Sequence, residues 1–226
     1  MEEVIVEKLE TNTNKANFSV KLLWVTPNAE KQVMYMARVS AENRDSESTR
    51  LLGYLLKENH VSPFEMANMC VEISGSRAIL RQILRHRSFS FQELSQRYAK
   101  ISMKDMTISE ARRQDTKNRQ NSIDDLPKNI QNEWKQKQES LNTKTFETYS
   151  WALENGIAKE CARNILPEGN TTSILCMNGT LRSWIHFLKL RTGNGTQGEH
   201  QQIASACLDI FKEQFPIIAK AVFDSC

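Results

Sequence analysis

The stretch MANMCVEISGSRAILRQILRHR, residues 66–87, is the most clearly patterned part of this chain of 226 residues. Its first nine residues are mainly apolar with polar residues between them, which predicts a half-buried strand over Met66–Ser74 that ends at Gly75. The residues after Gly75 carry an apolar stripe at helical spacing, formed by Ile79, Leu80, Ile83 and Leu84. The stretch therefore predicts a strand followed directly by an amphipathic helix.

The segments on either side predict one more strand and several helices. Residues 19–26 have the pattern of a strand that ends at Pro27, and Asn28 is a candidate cap for a helix through residues 31–40. Further helices are predicted, in chain order, over residues 48–59, about 127–164 with a break near Gly156, 183–190 and about 200–212. Residues 104–144 are markedly polar and predict a long excursion that leads into a solvated helix.

The composition is that of an ordinary globular protein, with 39% hydrophobic and 25% charged residues. A single core can serve a chain of this length, so we expect one domain over residues 1–226. Lys and Arg number 30 against 27 Asp and Glu, and a net charge of +3 does not by itself indicate a nucleic-acid partner.

Targeting and metal-binding signals are weak throughout the sequence. The acidic start MEEVIVEKLE does not resemble a signal peptide, and no apolar run approaches the roughly 20 residues that span a bilayer. The five cysteines are scattered and never spaced as CxxC, which indicates reduced thiols and no zinc site. We therefore expect a cytoplasmic protein with no membrane partner and no bound metal.

A basic cluster extends from Arg77 to Arg97, with five arginines, His86 and a single acid, Glu93. Like charges spaced four apart on a helix repel one another unless an anion lies among them, and the planar guanidinium fits phosphate or carboxylate. For Arg77 and Arg81 a solvated helix face paired with acids elsewhere is an equally good interpretation. One hypothesis is that the cluster belongs to a nucleic-acid-binding module that grips backbone phosphates.

Residues 193–198, GNGTQG, match the dinucleotide-binding pattern GxGxxG only formally. That motif requires a strand before it and a βαβ unit around it. Here a helical stretch precedes the glycines and only 28 residues follow them. We interpret the segment as a turn, whose lack of side chains lets another group approach closely.

Several short motifs follow one another in a fixed order along the chain. Arg85, His86 and Arg87 are followed, after seven residues, by Ser95. The other motifs are HVSPFE at residues 60–65, Gln82 three residues before Arg85, ELS at 93–95, ARNILP at 162–167, and RxxxHFxxxR at 182–191. Together they resemble the flavin-dependent thymidylate synthases, whose signature is RHRx₇S.

This resemblance implies an α+β fold with a mixed, largely antiparallel sheet, packed helices and a helical second half. It implies a homotetramer whose active sites draw on more than one subunit. The implied reaction converts dUMP to dTMP, with 5,10-methylenetetrahydrofolate as the carbon donor and NADPH as the hydride source. FAD is the implied cofactor that carries the hydride.

The resemblance also assigns roles to individual residues of this chain. The implied dUMP-binding residues are Gln82, Arg85, Glu93, Leu94, Ser95, Gln96, Arg97, Arg163 and Arg191. The implied FAD-binding residues are Ser62, Arg85, His86, Arg87, Glu93, Thr180, Leu181, Arg182 and His186. Among these, Arg85, His86 and Arg87 would stabilise the negative charge of the reduced flavin. Arg191 is the implied catalytic residue, because a fixed cation facing the uracil favours loss of its N3 proton.

Some features leave alternatives open. No cysteine stands in a motif, and Ser95 has no evident base, so we interpret Ser95 as a binding contact with covalent attack as the alternative. Thr180 and Gly195 stand where the family often has Asn and His, which leaves a flavoprotein without catalysis as a further hypothesis. For His60, both a contact with the flavin edge and stacking on folate remain open.

Overall fold

The computed structural model describes residues 18–44, 46 and 48–224. The acidic stretch at residues 1–10, and Cys226, lie outside the described residues. The strands are β1 (Ser19–Val25), β2 (Asn68–Ser76), β3 (Phe89–Glu93), β4 (Arg113–Gln114), β5 (Ser122–Ile123) and β6 (Thr172–Thr180). The main sheet has the order β1-β2-β6-β3, and each of its three pairings is antiparallel. An α+β fold with an antiparallel sheet is therefore confirmed. The expectation was a mixed sheet, but within the described residues the main sheet has no parallel pairing.

The helices surround this sheet and make up most of the second half of the chain. They are α1 (Ala29–Ala37), α2 (Arg50–Lys57), α3 (Arg77–Ile83), α4 (Lys128–Glu154), α5 (Lys159–Ala162), α6 (Leu181–Arg191), α7 (Gly198–Gln214) and α8 (Pro216–Phe223). Short 3₁₀ turns cover Ser62–Met66, Met103–Asp105 and Arg163–Ile165. Among the described residues, no helix combines the length and the apolar character that crossing a membrane requires.

The core lies between one face of the main sheet and α3, α6 and α7. Alternate residues of the central strands point into it, including Val71 and Ile73 on β2 and Met177 on β6. From α6, Trp184 is fully buried and its indole nitrogen donates to the Met69 carbonyl at 2.8 Å. Because β2 and β6 are antiparallel, α3 and α6 begin at opposite ends of the sheet. Their C-terminal ends meet where Arg191, at the end of α6, contacts His86, which follows α3.

Two local expectations are wrong. Asn28 precedes α1 with a left-handed φ of 51°, and its side chain makes no cap hydrogen bond. Gly75 does not end β2, which continues to Ser76 with Gly75 opposite Ser173. The pairing with β6 supplies the hydrogen bonds that carry the strand through the glycine, and sequence pattern alone does not show that partner.

The polar segment that precedes α4 is held to the rest of the chain by buried amide side chains of α4. Gln138 accepts from the Ser109 backbone N–H at 2.9 Å and donates to the Ser109 carbonyl at 2.9 Å. Asn142 donates to the Thr107 carbonyl at 2.9 Å. These bonds satisfy the backbone of a segment with few apolar anchors, so the predicted excursion has a defined path past α4.

The glycine at position 179 on β6 is required by the aromatic ring opposite it. Phe89 pairs with Gly179 across β3 and β6, and a Cβ at Gly179 would overlap the Phe89 ring. The ring cannot easily move, because it also packs edge-on against Trp184 with centroids 5.0 Å apart. We expect Gly179→Ala to lower the free energy of unfolding by about 1–3 kcal/mol in a urea titration.

Gly53→Ala is the matched control for that measurement. A Cβ at Gly53 on α2 would have no neighbour within 4 Å, and alanine favours a helix over glycine. The control variant should be as stable as the starting protein or more stable. Equal stability of the Gly179→Ala variant and the starting protein would contradict this description of the β3–β6 contact.

Candidate functional site

Five polar side chains meet where the C-terminal ends of α3 and α6 approach the start of α7. This helix-end cluster consists of Gln82, His86, Arg191, Gln197 and His200. Arg191 Nε donates to His86 Nε2 at 2.9 Å, and Gln82 Nε2 donates to Gln197 Oε1 at 2.7 Å. His200 Nδ1 lies 3.3 Å from Gln82 Oε1. The structure thus places His86 and Arg191 in direct contact, and Gln82 beside two residues that the sequence did not indicate.

Helical periodicity is the one signal in the sequence that could have marked His200. It lies on the same face of α7 as Ile203, Ala204 and Cys207, all of which are buried. No local signal marks Gln197, because it belongs to the glycine-rich turn and reaches Gln82 only through the tertiary fold.

Both histidines of the helix-end cluster are neutral near pH 7. Burial, and then the nearby positive charge of Arg191, lower the pKa of His86 and the pKa of His200 from 6.5 to about 4. Because Arg191 donates to His86 Nε2, that nitrogen is the unprotonated acceptor. Near pH 7 His86 therefore holds the arginine and carries no charge of its own, and its assignment as a flavin-binding residue stays a prediction.

These lowered pKa values predict a loss of stability in acid. Between about pH 6.5 and pH 4 the unfolded chain binds a proton at each histidine, whereas the folded protein does not. The free energy of unfolding should therefore fall as the pH falls, by about 1.4 kcal/mol per pH unit for each histidine. Chemical unfolding at a series of pH values measures this slope.

A pair of single variants isolates the histidine contribution to that slope. The His200→Asn variant should show a smaller slope than the starting protein, because one of the two groups has been removed. Gly53→Ala changes no titratable group and lies outside the cluster, so it should leave the slope unchanged. An identical slope in the starting protein and in His200→Asn would contradict the burial-driven shift.

A second group of predicted residues lies in the loop after β3. Leu94 donates its backbone N–H to the Ile174 carbonyl at 2.8 Å, and Ser95 Oγ accepts from the Arg97 backbone N–H at 3.3 Å. Gln96 is buried, and its Nε2 has no hydrogen-bond partner among the described residues. A buried donor without a partner in a loop beside arginine side chains fits an anionic ligand with several acceptor oxygens.

This loop is tied to α5, which leads directly into Arg163. Arg97 Nη2 lies 3.4 Å from Glu160 Oε2, and Lys159 Nζ donates to the Tyr98 carbonyl at 2.7 Å. Arg163 is half-buried, and its side chain makes no hydrogen bond or ion pair with the residues that the structure describes. Within the described part of the chain, no hydrogen bond or ion pair joins this loop to the helix-end cluster.

The basic cluster divides into paired and unpaired arginines. Arg77 lies 3.1 Å from Glu93, and Arg81 lies 3.4 Å from the other oxygen of Glu93. Both arginines also approach Glu168 at 3.5 Å, so each is paired with acids. The solvated-face interpretation holds for the exposed Arg81, but not for Arg77, which is 6% exposed. Arg85 and Arg87 are exposed, and their side chains have no ion-pair partner among the described residues.

The predicted cofactor-binding residues lie along the 3₁₀ turn and the start of α6. Arg182 is ion-paired with Glu65, which shares its 3₁₀ turn with Ser62, and His186 is exposed one turn further along α6. Leu181 is 0% exposed, and its N–H donates to the Ala67 carbonyl at 2.9 Å.

Two of the residues assigned to cofactor binding are engaged within the chain itself. The Leu181 side chain is packed in the core and its N–H is occupied, and its contact with a cofactor stays a prediction. Thr180 Oγ1 accepts from the Ser183 N–H at 3.3 Å and donates to Ser183 Oγ at 3.2 Å. This hydroxyl caps α6, and the assignment of Thr180 as a cofactor ligand stays a prediction.

The glycine-rich segment is a turn between α6 and α7, as the sequence analysis concluded. Gly195 has a φ of 92°, a conformation that favours glycine. At Gly198 the group that approaches closely is the chain's own Arg112, whose guanidinium lies where a Cβ would be and is ion-paired with Glu199.

Comparison with known proteins identifies the family. The family model described as thymidylate synthase complementing protein matches residues 21–217. The chain belongs to this family. A probable flavin-dependent thymidylate synthase of Paramecium bursaria Chlorella virus 1 is 50% identical over 214 residues, which cover 90% of this chain and 98% of the relative. A flavin-dependent thymidylate synthase of Synechocystis is 48% identical over 84% of this chain and 87% of its own length.

A solved structure shares the fold of this thymidylate synthase complementing family member. The crystal structure of a UMP/dUMP methylase PolB from Streptomyces cacaoi, bound with 5-Br dUMP, matches with a TM-score of 0.79 at 24% identity. The match covers 92% of this chain and 95% of the methylase. Membership of the family confirms the resemblance drawn from the sequence motifs, and it favours an enzyme over a nucleic-acid-binding module.

Proposed function

We propose that the protein is a flavin-dependent thymidylate synthase, which methylates dUMP reductively to dTMP. The carbon donor is 5,10-methylenetetrahydrofolate, and NADPH is the hydride source. The observation that carries the proposal is the position of Arg191, in a chain of this family. Arg191 is a cation at the end of α6, and the neutral His86 holds it through a hydrogen bond. FAD, when bound, supplies the hydride-transfer step between NADPH and the substrate.

The residues around the turn after α3 fit a flavin nucleotide. Arg85 and Arg87 are exposed guanidinium groups without ion partners in the described part of the chain, which is the donor chemistry that a pyrophosphate requires. Ser62, Arg182 and His186 provide further polar groups on the 3₁₀ turn and α6. Glu93 contributes indirectly, since it is ion-paired with the arginines of α3.

The loop after β3 and the residue that follows α5 are suited to the nucleotide phosphate. A phosphomonoester carries a charge of about −1.5 to −2 and three acceptor oxygens. Arg97 and Arg163 supply charge, and the buried Gln96 amide supplies an unused donor. Backbone N–H groups around Ser95 and Gln96, with Gln82 and Arg85, complete the proposed dUMP site.

Arg191 activates the uracil ring in this proposal. Uracil C5 is a weak nucleophile until electron density is pushed into the ring. A guanidinium facing the ring favours loss of the N3 proton, because the fixed cation stabilises the resulting anion. His86 takes only the Nε hydrogen of Arg191, which leaves the two Nη groups available to the substrate.

The thiols of the four cysteines that the structure describes do not fit a nucleophilic role. Burial raises the pKa of Cys70, of Cys176 and of Cys207, which disfavours the reactive thiolate. Cys161 is exposed on α5 and belongs to neither group of site residues. A variant with all five cysteines replaced by alanine should therefore keep its kcat within about threefold, provided that it binds FAD. Loss of dTMP formation in a folded, flavin-bound cysteine-free protein would contradict a thiol-independent reaction.

The proposal includes a homotetramer of single-domain subunits in the cytoplasm. Its support is that no hydrogen bond or ion pair between described residues joins the loop after β3 to the helix-end cluster. Each site therefore has room for residues of a partner subunit between these two groups. The four described cysteines are all free, which agrees with a reducing compartment.

Product analysis tests the proposed function. The purified protein is incubated with FAD, NADPH, 5,10-methylenetetrahydrofolate and dUMP, and dTMP is quantified chromatographically. We expect dTMP in the complete mixture, and none when dUMP, NADPH or 5,10-methylenetetrahydrofolate is left out in turn. A flavin-containing protein that forms no dTMP in the complete mixture would overturn the proposal in favour of a catalytically inactive flavoprotein.

A further inference from the structure

A chain of hydrogen bonds runs from the start of α7 into the helix-end cluster and ends on a fully buried histidine. Gln197 Nε2 donates to Glu199 Oε2 at 3.0 Å, and the other oxygen of Glu199 is held by Arg112. Gln82 Nε2 donates to Gln197 Oε1 at 2.7 Å, and Gln82 Oε1 lies 3.3 Å from His200 Nδ1. His200 is 0% exposed.

The carboxylate of Glu199, at one end of this series of hydrogen bonds, sets the donor and the acceptor of each bond in the series. Burial acts to raise the pKa of Glu199, but hydrogen bonds from Arg112 and other donors hold it below the ordinary value. An ionised carboxylate can only accept, so Gln197 must present its NH₂ group to Glu199 and its carbonyl to Gln82. Gln82 must then present its NH₂ to Gln197, which turns its own carbonyl toward His200.

The same reasoning fixes the tautomer of the histidine. The Gln82 carbonyl is an acceptor, so His200 Nδ1 carries the proton and donates. Nε2 of the neutral ring is then an acceptor, and it is buried without a partner among the described residues. A buried histidine that keeps one nitrogen unpartnered is costly for stability, which argues that the other nitrogen serves a positioning role.

We propose that His200 and Gln197 are positioning residues, which together hold the Gln82 amide in one orientation toward the nucleotide. An amide held at one end can exchange its donor and its acceptor by rotation, whereas one held at both ends cannot. The second N–H and the second lone pair of Gln82 then have fixed directions before dUMP arrives, and less ordering is needed on binding. This inference rests on the proposed function, in which Gln82 contacts dUMP.

Two substitutions at position 200 separate hydrogen bonding from packing. Leucine and asparagine have the same number of side-chain heavy atoms with the same branching, but only asparagine has an N–H that can replace His Nδ1–H. We expect His200→Leu to raise the dissociation constant for dUMP about tenfold in calorimetric titrations of the flavin-loaded protein. His200→Asn should stay within about threefold of the starting protein, and both variants should keep their flavin. If the histidine served packing alone, leucine would be the milder substitution, and that order would overturn the inference.

A double variant tests whether His200 acts through Gln82. The dissociation constant for dUMP should be no higher in Gln82→Leu/His200→Leu than in Gln82→Leu alone. If the His200→Leu substitution raised the dissociation constant further in the Gln82→Leu background, the inference would be overturned. Should His200→Leu fail to fold, substitution of the exposed Gln197 takes its place. Gln197→Leu should raise the dissociation constant for dUMP, and it should have no further effect on that constant in a Gln82→Leu background. A starting protein that forms no dTMP overturns the proposed function itself, whereas normal turnover with no difference between the two His200 variants overturns only this inference.

Discussion

Replacing Arg191 by alanine is expected to lower kcat for dTMP formation by about 100- to 1000-fold while the variant keeps its flavin. The side chain supplies the cation that stabilises the uracil anion, and its geometry is set by a 2.9 Å hydrogen bond to His86. The helix itself should persist, because α6 is anchored by the fully buried Trp184 and Phe187. Single-turnover assays with quantified dTMP, combined with the flavin absorbance of the variant, measure both parts of this expectation.

Lys189→Ala is the matched control on the same helix. Lys189 is exposed two residues before Arg191 and lies outside both groups of site residues, so its removal should leave kcat unchanged. Arg191→Lys restores a positive charge without the hydrogen-bonding fork and should recover only a small part of the activity. Unimpaired turnover in Arg191→Ala would remove this residue from the mechanism.

Replacing Arg163 by glutamine is expected to raise KM for dUMP by about 10- to 100-fold with little change in kcat. The substitution removes a charge-assisted hydrogen bond to phosphate, which contributes equally to the ground state and the transition state. Arg163 is suited to this contact because it is half-buried beside the loop anchored to α5, and no described residue neutralises it.

Deoxyuridine, which lacks the phosphate, distinguishes a phosphate contact from a general disturbance. The starting protein should use deoxyuridine poorly, and Arg163→Gln should not impair that residual reaction further. Arg113→Gln provides the control variant, since Arg113 is ion-paired with Asp125 in the exposed β4–β5 hairpin. A parallel loss with both substrates would show that Arg163 does not act on the phosphate.

Elements with a continuous local pattern could be predicted from the sequence. The apolar stripe of α3 is buried in the structure, and the break near Gly156 falls between α4 and α5, where the glycine has a φ of 78°. These elements depend on side chains close together in sequence, so helical periodicity and turn residues were sufficient.

The central strand β6 could not be predicted, although the sheet depends on it. Its sequence ends with Asn178, Gly179 and Thr180, residue types that favour turns. The strand forms because β2 and β3 supply hydrogen bonds on both sides and the Phe89 ring requires a glycine at position 179. Such reasons become visible only when distant segments are placed side by side.

The candidate site shows the same division. The motifs identified Gln82, His86 and Arg191, whose residue types and spacing are those of the family. The contacts among them, and the addition of Gln197 and His200, join segments more than 100 residues apart in the chain. The neutral state of His86 likewise follows from burial and from Arg191, which the local sequence could not show.

An absorbance spectrum of the freshly purified protein, recorded before and after addition of dUMP and NADPH, tests the central claim most directly. We expect the first spectrum to show the visible bands of an oxidised flavin, and the second to show these bands bleached. The same result is expected whether the protein retains FAD on purification or is loaded with added FAD. A colourless protein that also takes up no FAD in a titration would contradict both the family-based function and the assignment of Arg85 and Arg87 to the flavin.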